Sequence, residues 1–328
     1  MREIRRDPST GEETLLATDR ATRPRHLAPG RRLDLDPDHC PFCRGHEAHT
    51  PATIAEIGDA HGWLARSFAN RYPVLGIEGQ LERRAHGPWD RVTGIGAHEV
   101  LVEGPDHGIP GWRPRPDAPP RGLDAPLRLA RERLRDLRRD GRMRHVTWFR
   151  NFGPEAGGTL GHPHAQIVAT PFVPAAVRRM TDRFVAHHAA HERDLMGDLL
   201  EHDRADGRRI VADLGSVVVV CPYAPRVGWE VWIVPSDPVA SFASADEAAL
   251  AGLADGMARV LRAWDGLLAS PPHNALLYTA PIGEERGWRW HVRLLPRFAT
   301  MAGFELATGA YMVGTAPEDA AARLREVW

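Results

Sequence analysis

The run from Asn151 to Gln166 holds the residues best equipped for chemistry: a glycine-rich loop, Gly153 to Gly161, leads into His162, His164 and Gln166. Ile167, Val168 and Ala169 extend the run as an apolar stretch, so it reads as a loop entering a β-strand. Alternate side chains of a strand share a face, which sets the two histidines and the glutamine in one row. Glycines let backbone N–H groups approach an anion, and imidazole, with a reference pKa of about 6.5, is a neutral nucleophile near neutral pH. An amide beside them donates a hydrogen bond without donating a proton. The set suits attack on phosphorus. The competing reading is a buried strand whose histidines are simply satisfied by neighbours.

A second constellation precedes it. Cys40 and Cys43 bracket Pro41 and Phe42, and the chain holds 3 cysteines in all. A CxxC in so cysteine-poor a chain points to metal binding rather than a disulfide framework, with a free or redox-active dithiol as the alternative. His39, His46 and His49 lie in the same loop and are rival ligands. All 42 basic residues are arginine, so Lys Schiff-base chemistry is excluded and any cationic phosphate clamp falls to Arg. With 328 residues, 43% of them hydrophobic, the chain can bury a large core as one large domain or two smaller ones. A net charge of -1 implies no general attraction to nucleic acid or to an anionic membrane. The sequence shows neither a long apolar span nor a signal-peptide pattern, so a cytoplasmic location is expected.

The elements that position these residues come in two similar sets. In the first, strands at His98–Glu103, Arg144–Phe149 and Gly161–Thr170 surround a polar helix at Pro126–Arg139. In the second, strands at Trp229–Val234, Ala275–Thr279 and Trp290–Leu295 surround a helix ending near Leu268, with Ser244 and Glu247 spaced as a capping box. The likeness of His98-Glu99-Val100-Leu101-Val102 to Trp229-Glu230-Val231-Trp232-Ile233 suggests an internal duplication. Between the sets, Pro174 to Asp206 reads as helical and carries His187, His188, His191 and His202, more in the manner of a solvated face than a metal cluster. The expected units are residues 1–173, with the site, and 174–328, in which only His291 remains of the histidine row.

His162-Pro163-His164-Ala165-Gln166 resembles the active-site strand of the galactose-1-phosphate uridylyltransferase family, the transferase branch of the histidine-triad superfamily. The likeness extends to Arg6-Asp7-Pro8-Ser9-Thr10-Gly11, Arg20 to Pro24, Cys40 to Cys43, Asn70-Arg71-Tyr72-Pro73, Gly104-Pro105-Asp106-His107 and Gly303-Phe304-Glu305 in the same order. It implies a duplicated histidine-triad α+β fold with antiparallel sheets and flanking helices. It implies a nucleotidyltransferase: His164 takes a nucleoside monophosphate from a nucleotide sugar, and a sugar phosphate or phosphate removes it. Gln166, where the hydrolase branch carries a third histidine, favours transfer over hydrolysis, because an amide cannot act as a general acid.

The resemblance also implies roles for single residues. Asn151, Gly157, Gly158 and Thr159 would cradle phosphate, Thr159 standing where the family usually has Ser. Asn70 would contact ribose or phosphates, although Arg71 replaces the family's frequent acidic neighbour. Phe42 would pack against the base or serve as core. Arg20 and Arg23 would hold the second substrate's phosphate, and Glu305 a sugar hydroxyl. Cys40, Cys43, His107 and His162 would bind one structural zinc. Met180 and His291-Val292-Arg293 stand where some members hold a second metal, so none is expected. A homodimer is expected, and no nucleic-acid or membrane partner. The tail, Gly303 to Met312 with Pro317-Glu318-Asp319, resembles the branch that includes ADP-glucose phosphorylase, which leaves the base and the sugar open. Three readings follow: first, a uridylyltransferase exchanging UMP between UDP-glucose and galactose 1-phosphate; second, a nucleotidyltransferase or phosphorylase of another base or sugar; third, from another class, a nucleotide-binding protein without turnover.

Overall fold

The computed structural model describes residues 2–19, 36–116, 118–298 and 301–328; Arg20 and Arg23 lie outside the described residues. The described chain opens with strands β1 (Arg2–Arg6) and β2 (Glu13–Ala17), then β3 (Thr53–Asp59) and β4 (Gly62–Ala69). An exposed hairpin, β5 (Arg83–His86) and β6 (Trp89–Val92), precedes β7 (Ala97–Val102) and helix α1 (Asp124–Leu137). Strands β8 (His145–Phe152) and β9 (His164–Thr170) complete the first set. Helices α2 (Ala175–His191) and α3 (Leu195–Asp206) lead to β10 (Ile210–Asp213), β11 (Val217–Val220) and β12 (Val231–Pro235). Then come α4 (Glu247–Leu267), β13 (His273–Tyr278), β14 (His291–Pro296), α5 (Gly303–Thr308), β15 (Tyr311–Val313) and α6 (Pro317–Glu326).

Ten strands form one antiparallel sheet in the order β10-β11-β12-β14-β13-β8-β9-β7-β4-β3. Outward from the centre, β8-β9-β7-β4-β3 and β13-β14-β12-β11-β10 trace the same path twice. The halves meet where β8 pairs with β13, Asn151 opposite Asn274 and Phe149 opposite Leu276. Gln166 lies between Phe149 of β8 and Val100 of β7, and Arg293 between Leu276 of β13 and Trp232 of β12. His164 therefore corresponds to His291, Gln166 to Arg293, Val100 to Trp232 and His98 to Glu230.

This register corrects the sequence parallel. The letters Glu-Val match when Glu99 is set against Glu230, but the sheet offsets the two strands by one further residue. A one-residue slip reverses every side chain. Glu99 indeed lies on the α1 face, held by Arg133 at 2.7 and 2.8 Å. Glu230 lies on the opposite face with Trp232, whose Nε1 donates to it at 2.7 Å.

Helix α1 turns Leu127, Ala130, Leu134 and Leu137 inward at helical spacing, and α4 turns Leu250, Leu253, Met257, Leu261 and Trp264. Both pack on one face of the sheet and share its main core. The N-cap of α4 is Asp246, whose side chain accepts from the Ala249 N–H at 2.7 Å. Ser244 ends the preceding turn instead, and Glu247 binds Arg131 and Arg128, so the expected capping box does not form.

On the other face, α2 and α3 cover the second half through Val177, Met180, Phe184, Met196 and Leu200. The first half's counterpart is covered by the Cys40–Cys43 loop, with Phe42 against Phe68, Val100 and Val102. Strands β1, β2 and β15 make a small sheet. It docks on the second half: Thr14 donates to the Pro225 carbonyl and Arg5 to that of Tyr223. Among the described residues, no helix is long and apolar enough to cross a membrane.

Candidate active site

Strand β9 and the loop before it bring two devices together. Cys40, Cys43, His107 and His162 offer ligand atoms that all lie within 4.8 Å of one another. The sulfur-to-Nδ1 separations are 3.7 and 3.6 Å to His162 and 3.3 Å to His107. A tetrahedral ion bonded to thiolate at about 2.3 Å and imidazole at about 2.0 Å requires an edge of about 3.6 Å. The residues fit such an ion. His162 also presents the right nitrogen, since its Nε2–H donates to the Gly104 carbonyl at 2.8 Å and leaves Nδ1 as the ligand. Burial pushes its pKa down to about 4, which keeps it neutral.

Burial, with Cys40 alongside, pushes the Cys43 thiol up to about 12. That is the environment of a structural thiol rather than of a reactive redox one. The rival histidines stand aside. His46 Nδ1 bonds the Cys40 carbonyl at 2.8 Å, His39 is exposed beside Asp36, and His49 packs on the His46 ring. Among the described residues these four make the only such cluster; in the helical segment between the halves, His187 binds Asp198 at 2.7 Å.

Two residues beyond His162, the His164 Nδ1–H donates to the His162 carbonyl at 2.8 Å. The bond fixes the tautomer and leaves the lone pair on Nε2. Burial, and the positive charge of Arg150, lower the His164 pKa while that hydrogen bond opposes them, so the ring is held neutral. It borders a cleft lined by Asn151, Gly153, Gly158, Gly161 and His162. Phe42 packs edge-on against it with ring centroids 5.3 Å apart, and at 7% exposure acts as a wall with little surface left for a base.

The loop's amides are divided. Gly157 N–H bonds the Pro154 carbonyl and Gly158 N–H that of Gly153, both at 2.9 Å, so these two do not cradle an anion as expected from sequence. What the glycines provide is shape. Gly157 has φ +84°, and a Cβ on Gly158 would lie 2.7 Å from the Asn151 carbonyl oxygen. The amides of Thr159, Leu160 and Gly161 make no backbone hydrogen bond among the described residues and stay available, as does the exposed Thr159 hydroxyl. Asn151 is aimed from the second half: Asn274 Nδ2 donates to its Oδ1 at 2.8 Å and to the Ala156 carbonyl at 2.9 Å. Asn151 Nδ2 is thereby left as the donor.

Gln166 shares its face with His98 of β7, whose Nε2 is 2.7 Å from Gln166 Oε1. Asn70 Nδ2 lies 3.1 Å from the same nitrogen, and Asn70 Oδ1 accepts from the Tyr72 N–H at 2.9 Å. Asn70 and Gln166 thus meet at one imidazole that the sequence reading passed over. Asn274 was passed over as well. Both come from strands far along the chain, and the only local signal for His98 was its place in an alternating strand. Glu305 makes no hydrogen bond to this group among the described residues; it accepts from the Ala302 N–H at 3.1 Å at the start of α5.

Comparison with known proteins agrees with this architecture. Residues 121–172 match the model for "Domain of unknown function (DUF4931) N-terminal domain". The chain is 27% identical to ADP-glucose phosphorylase of Arabidopsis thaliana over 99% of its own length and 93% of the relative's. It is 26% identical to galactose-1-phosphate uridylyltransferase of Thermotoga maritima over 99% of its own length and 98% of the relative's. A crystal structure of an ADP-glucose phosphorylase from Arabidopsis thaliana with bound ADP-glucose shares the fold at TM-score 0.83 and 24% identity, covering 100% of this chain and 99% of that one.

Proposed function

We infer that this chain is a nucleotidyltransferase that carries a nucleoside monophosphate from a nucleotide sugar to a phosphate acceptor through a covalent nucleotidyl-His164. The observation that carries the reading is the state of that histidine: Nδ1 is tied to the His162 carbonyl, so Nε2 meets the cleft with its lone pair. Nε2 attacks the α-phosphorus, a P–N bond forms, and the P–O bond to the sugar 1-phosphate breaks. The leaving phosphate departs with the electron pair and needs no proton. An oxygen of the incoming phosphate then attacks the same phosphorus and the P–N bond breaks, giving ping-pong kinetics. Asn151 Nδ2, the free loop amides and Gln166 stabilise charge on the phosphoryl oxygens. Gln166 supplies no acid, which suits an acceptor that is itself a phosphate.

The ion suited to Cys40, Cys43, His107 and His162 is zinc, one per chain, with all four positions filled by protein. Bound there, it would brace the loop and, through His162, the strand that holds His164. The donor and acceptor divide into two readings. One is exchange of a uridylyl group between a hexose 1-phosphate and a nucleotide sugar. The other uses inorganic phosphate as acceptor; similarity to an ADP-glucose phosphorylase supports it, as the equally long similarity to a galactose-1-phosphate uridylyltransferase supports the first.

The test is incubation with UDP-glucose and ADP-glucose, with mass spectrometry of the protein, followed by addition of galactose 1-phosphate or inorganic phosphate. An adduct on His164 that discharges on adding acceptor supports the reading. Rapid hydrolysis of donor regardless of acceptor refutes it.

A further inference from the structure

His98 stands in the site without a task in the chemistry above. A backbone contact on one side of its ring points to its tautomer. The Val74 backbone N–H donates to His98 Nδ1 at 3.3 Å, and a backbone amide cannot reverse its polarity. A neutral imidazole has one acceptor nitrogen, so Nδ1 is that acceptor and Nε2 carries the hydrogen. Nε2–H then points at Gln166, 2.7 Å away, and only an oxygen there can receive it. A flipped Gln166 amide would set N–H against N–H. Asn70 Nδ2, held on this side because its Oδ1 accepts from the Tyr72 N–H, lies 3.1 Å from the same Nε2 and is the rival donor there; the fixed Val74 N–H on Nδ1 and the closer 2.7 Å approach of Gln166 Oε1 are the contacts that place the hydrogen on Nε2.

We propose that His98 is a positioning residue that locks the Gln166 amide with its oxygen toward β7, so that the Gln166 NH2 group faces the transferring phosphoryl group. The inference rests on the nucleotidyltransferase reading for its consequence but not for its geometry. Freed from His98, the amide could present either its nitrogen or its oxygen, and an oxygen facing a phosphoryl oxygen is repulsive. The sheet itself makes these two positions neighbours. In the second half they are occupied by Glu230 and Arg293, where Arg293 is among the charges acting on the buried Glu230 carboxyl. Equivalent sheet positions thus set a buried carboxyl near a guanidinium in one half and a neutral, directional pair in the other.

Two measurements on the full chain test this. The first is long-range nitrogen–proton NMR of the histidine rings in the free protein. It should find His98 with hydrogen on Nε2 and none on Nδ1, and a ring with hydrogen on Nδ1 alone overturns the proposal. The second is the single-turnover rate of His164 nucleotidylation, with UDP-glucose and ADP-glucose as donors. His98→Ala should lower that rate by about 10- to 100-fold, the scale of a misaimed transition-state donor. In a Gln166→Ala background the same change should have almost no further effect, because there is no amide left to aim. His98→Gln, which offers an N–H to the same oxygen, should recover most of the rate. Equal losses in both backgrounds, or no loss in either, overturn the proposal. A wild-type chain that neither nucleotide sugar labels would defeat the transferase reading instead, while the NMR result still judges the tautomer.

Discussion

Asn274 lies in the second half of the chain yet governs a donor in the first, and its removal can be worked through. Asn274→Ala deletes two hydrogen bonds, one to Asn151 Oδ1 at 2.8 Å and one to the Ala156 carbonyl at 2.9 Å. Each is neutral and partly screened, worth about 0.5–1.5 kcal/mol net, so stability should fall by about 1–3 kcal/mol. Activity should fall for a separate reason. Asn151 Nδ2 would donate to a phosphoryl oxygen that gains charge in the transition state, a bond worth about 1.5–3 kcal/mol when well made. Without Asn274 nothing decides which end of the Asn151 amide faces the cleft. The expected loss in single-turnover nucleotidylation is about 10-fold, or 1.4 kcal/mol, as part of that bond is forfeited. Asn151→Ala should lose all of it, about 10- to 100-fold, and the double variant should be no slower than Asn151→Ala alone. Denaturant unfolding and stopped-flow labelling at saturating donor measure the two effects separately. If Asn274→Ala destabilises the protein as calculated but labels at the wild-type rate, the orientation argument is refuted.

Other outcomes follow from the same geometry. His164→Ala should fold and bind nucleotide yet lose at least ~3–4 kcal/mol of transition-state stabilisation, since His162 is buried with Nε2 on the Gly104 carbonyl and Nδ1 turned to the two cysteines, and Gln166 is not a nucleophile. Protein purified without added metal should contain about one zinc per chain, and Cys40→Ser should lower the melting temperature together with the metal content. Gly158→Ala should cost about 1–3 kcal/mol of stability and slow labelling, because the new Cβ meets backbone that cannot swing aside. Gln166→His should raise donor hydrolysis relative to transfer, measured with one donor with and without acceptor.

The chemistry was legible in the sequence where it was local. His164 and Gln166 share a face because they alternate along β9, His162 stands in the loop just before that strand and not in it as expected, and the CxxC marked half of the Cys2His2 cluster. The alternating and helical periods gave β7, β8, β9, β12, β13 and β14, helices α1 and α4 and the helical stretch 174–206 within a few residues; the outer strands and the N-terminal sheet carried no such signal. What stayed hidden depended on contacts between distant segments. His98 reaches Gln166 across a β-ladder 68 residues apart in the chain, and Asn274 reaches Asn151 across the seam between halves, 123 residues apart. The register of the duplication misled for another reason: matching letters were taken as matching faces, and a single added residue defeated that. The docking of residues 2–19 on the second half left no local pattern at all.

The second half shows why the strand pattern alone does not make a site. His291 holds the position of His164, and its Nδ1 faces the Arg289 carbonyl at 3.3 Å, repeating the bond from His164 to His162. Its Nε2, however, receives the Arg293 Nε–H at 3.1 Å, so the lone pair that His164 keeps for attack is spent. Tyr278 stacks on the ring at 5.1 Å, and the guanidinium of Arg293 lies over Trp232 and Tyr278. Ser9, from the N-terminal segment, receives a further bond from Arg293 at 3.1 Å, with Asp7 nearby, and His291 is fully buried. Where the first half has an amide beside its histidine and an open cleft, the second has a cation on the nucleophilic nitrogen and packed rings in place of the cleft. Reactivity therefore follows which nitrogen is free and what covers it. The arginine at the position of Gln166, with the rings packed over His291, occupies the nitrogen that His164 keeps free, so among the described residues the repeated strand geometry carries a candidate reaction centre in the first copy and not in the second.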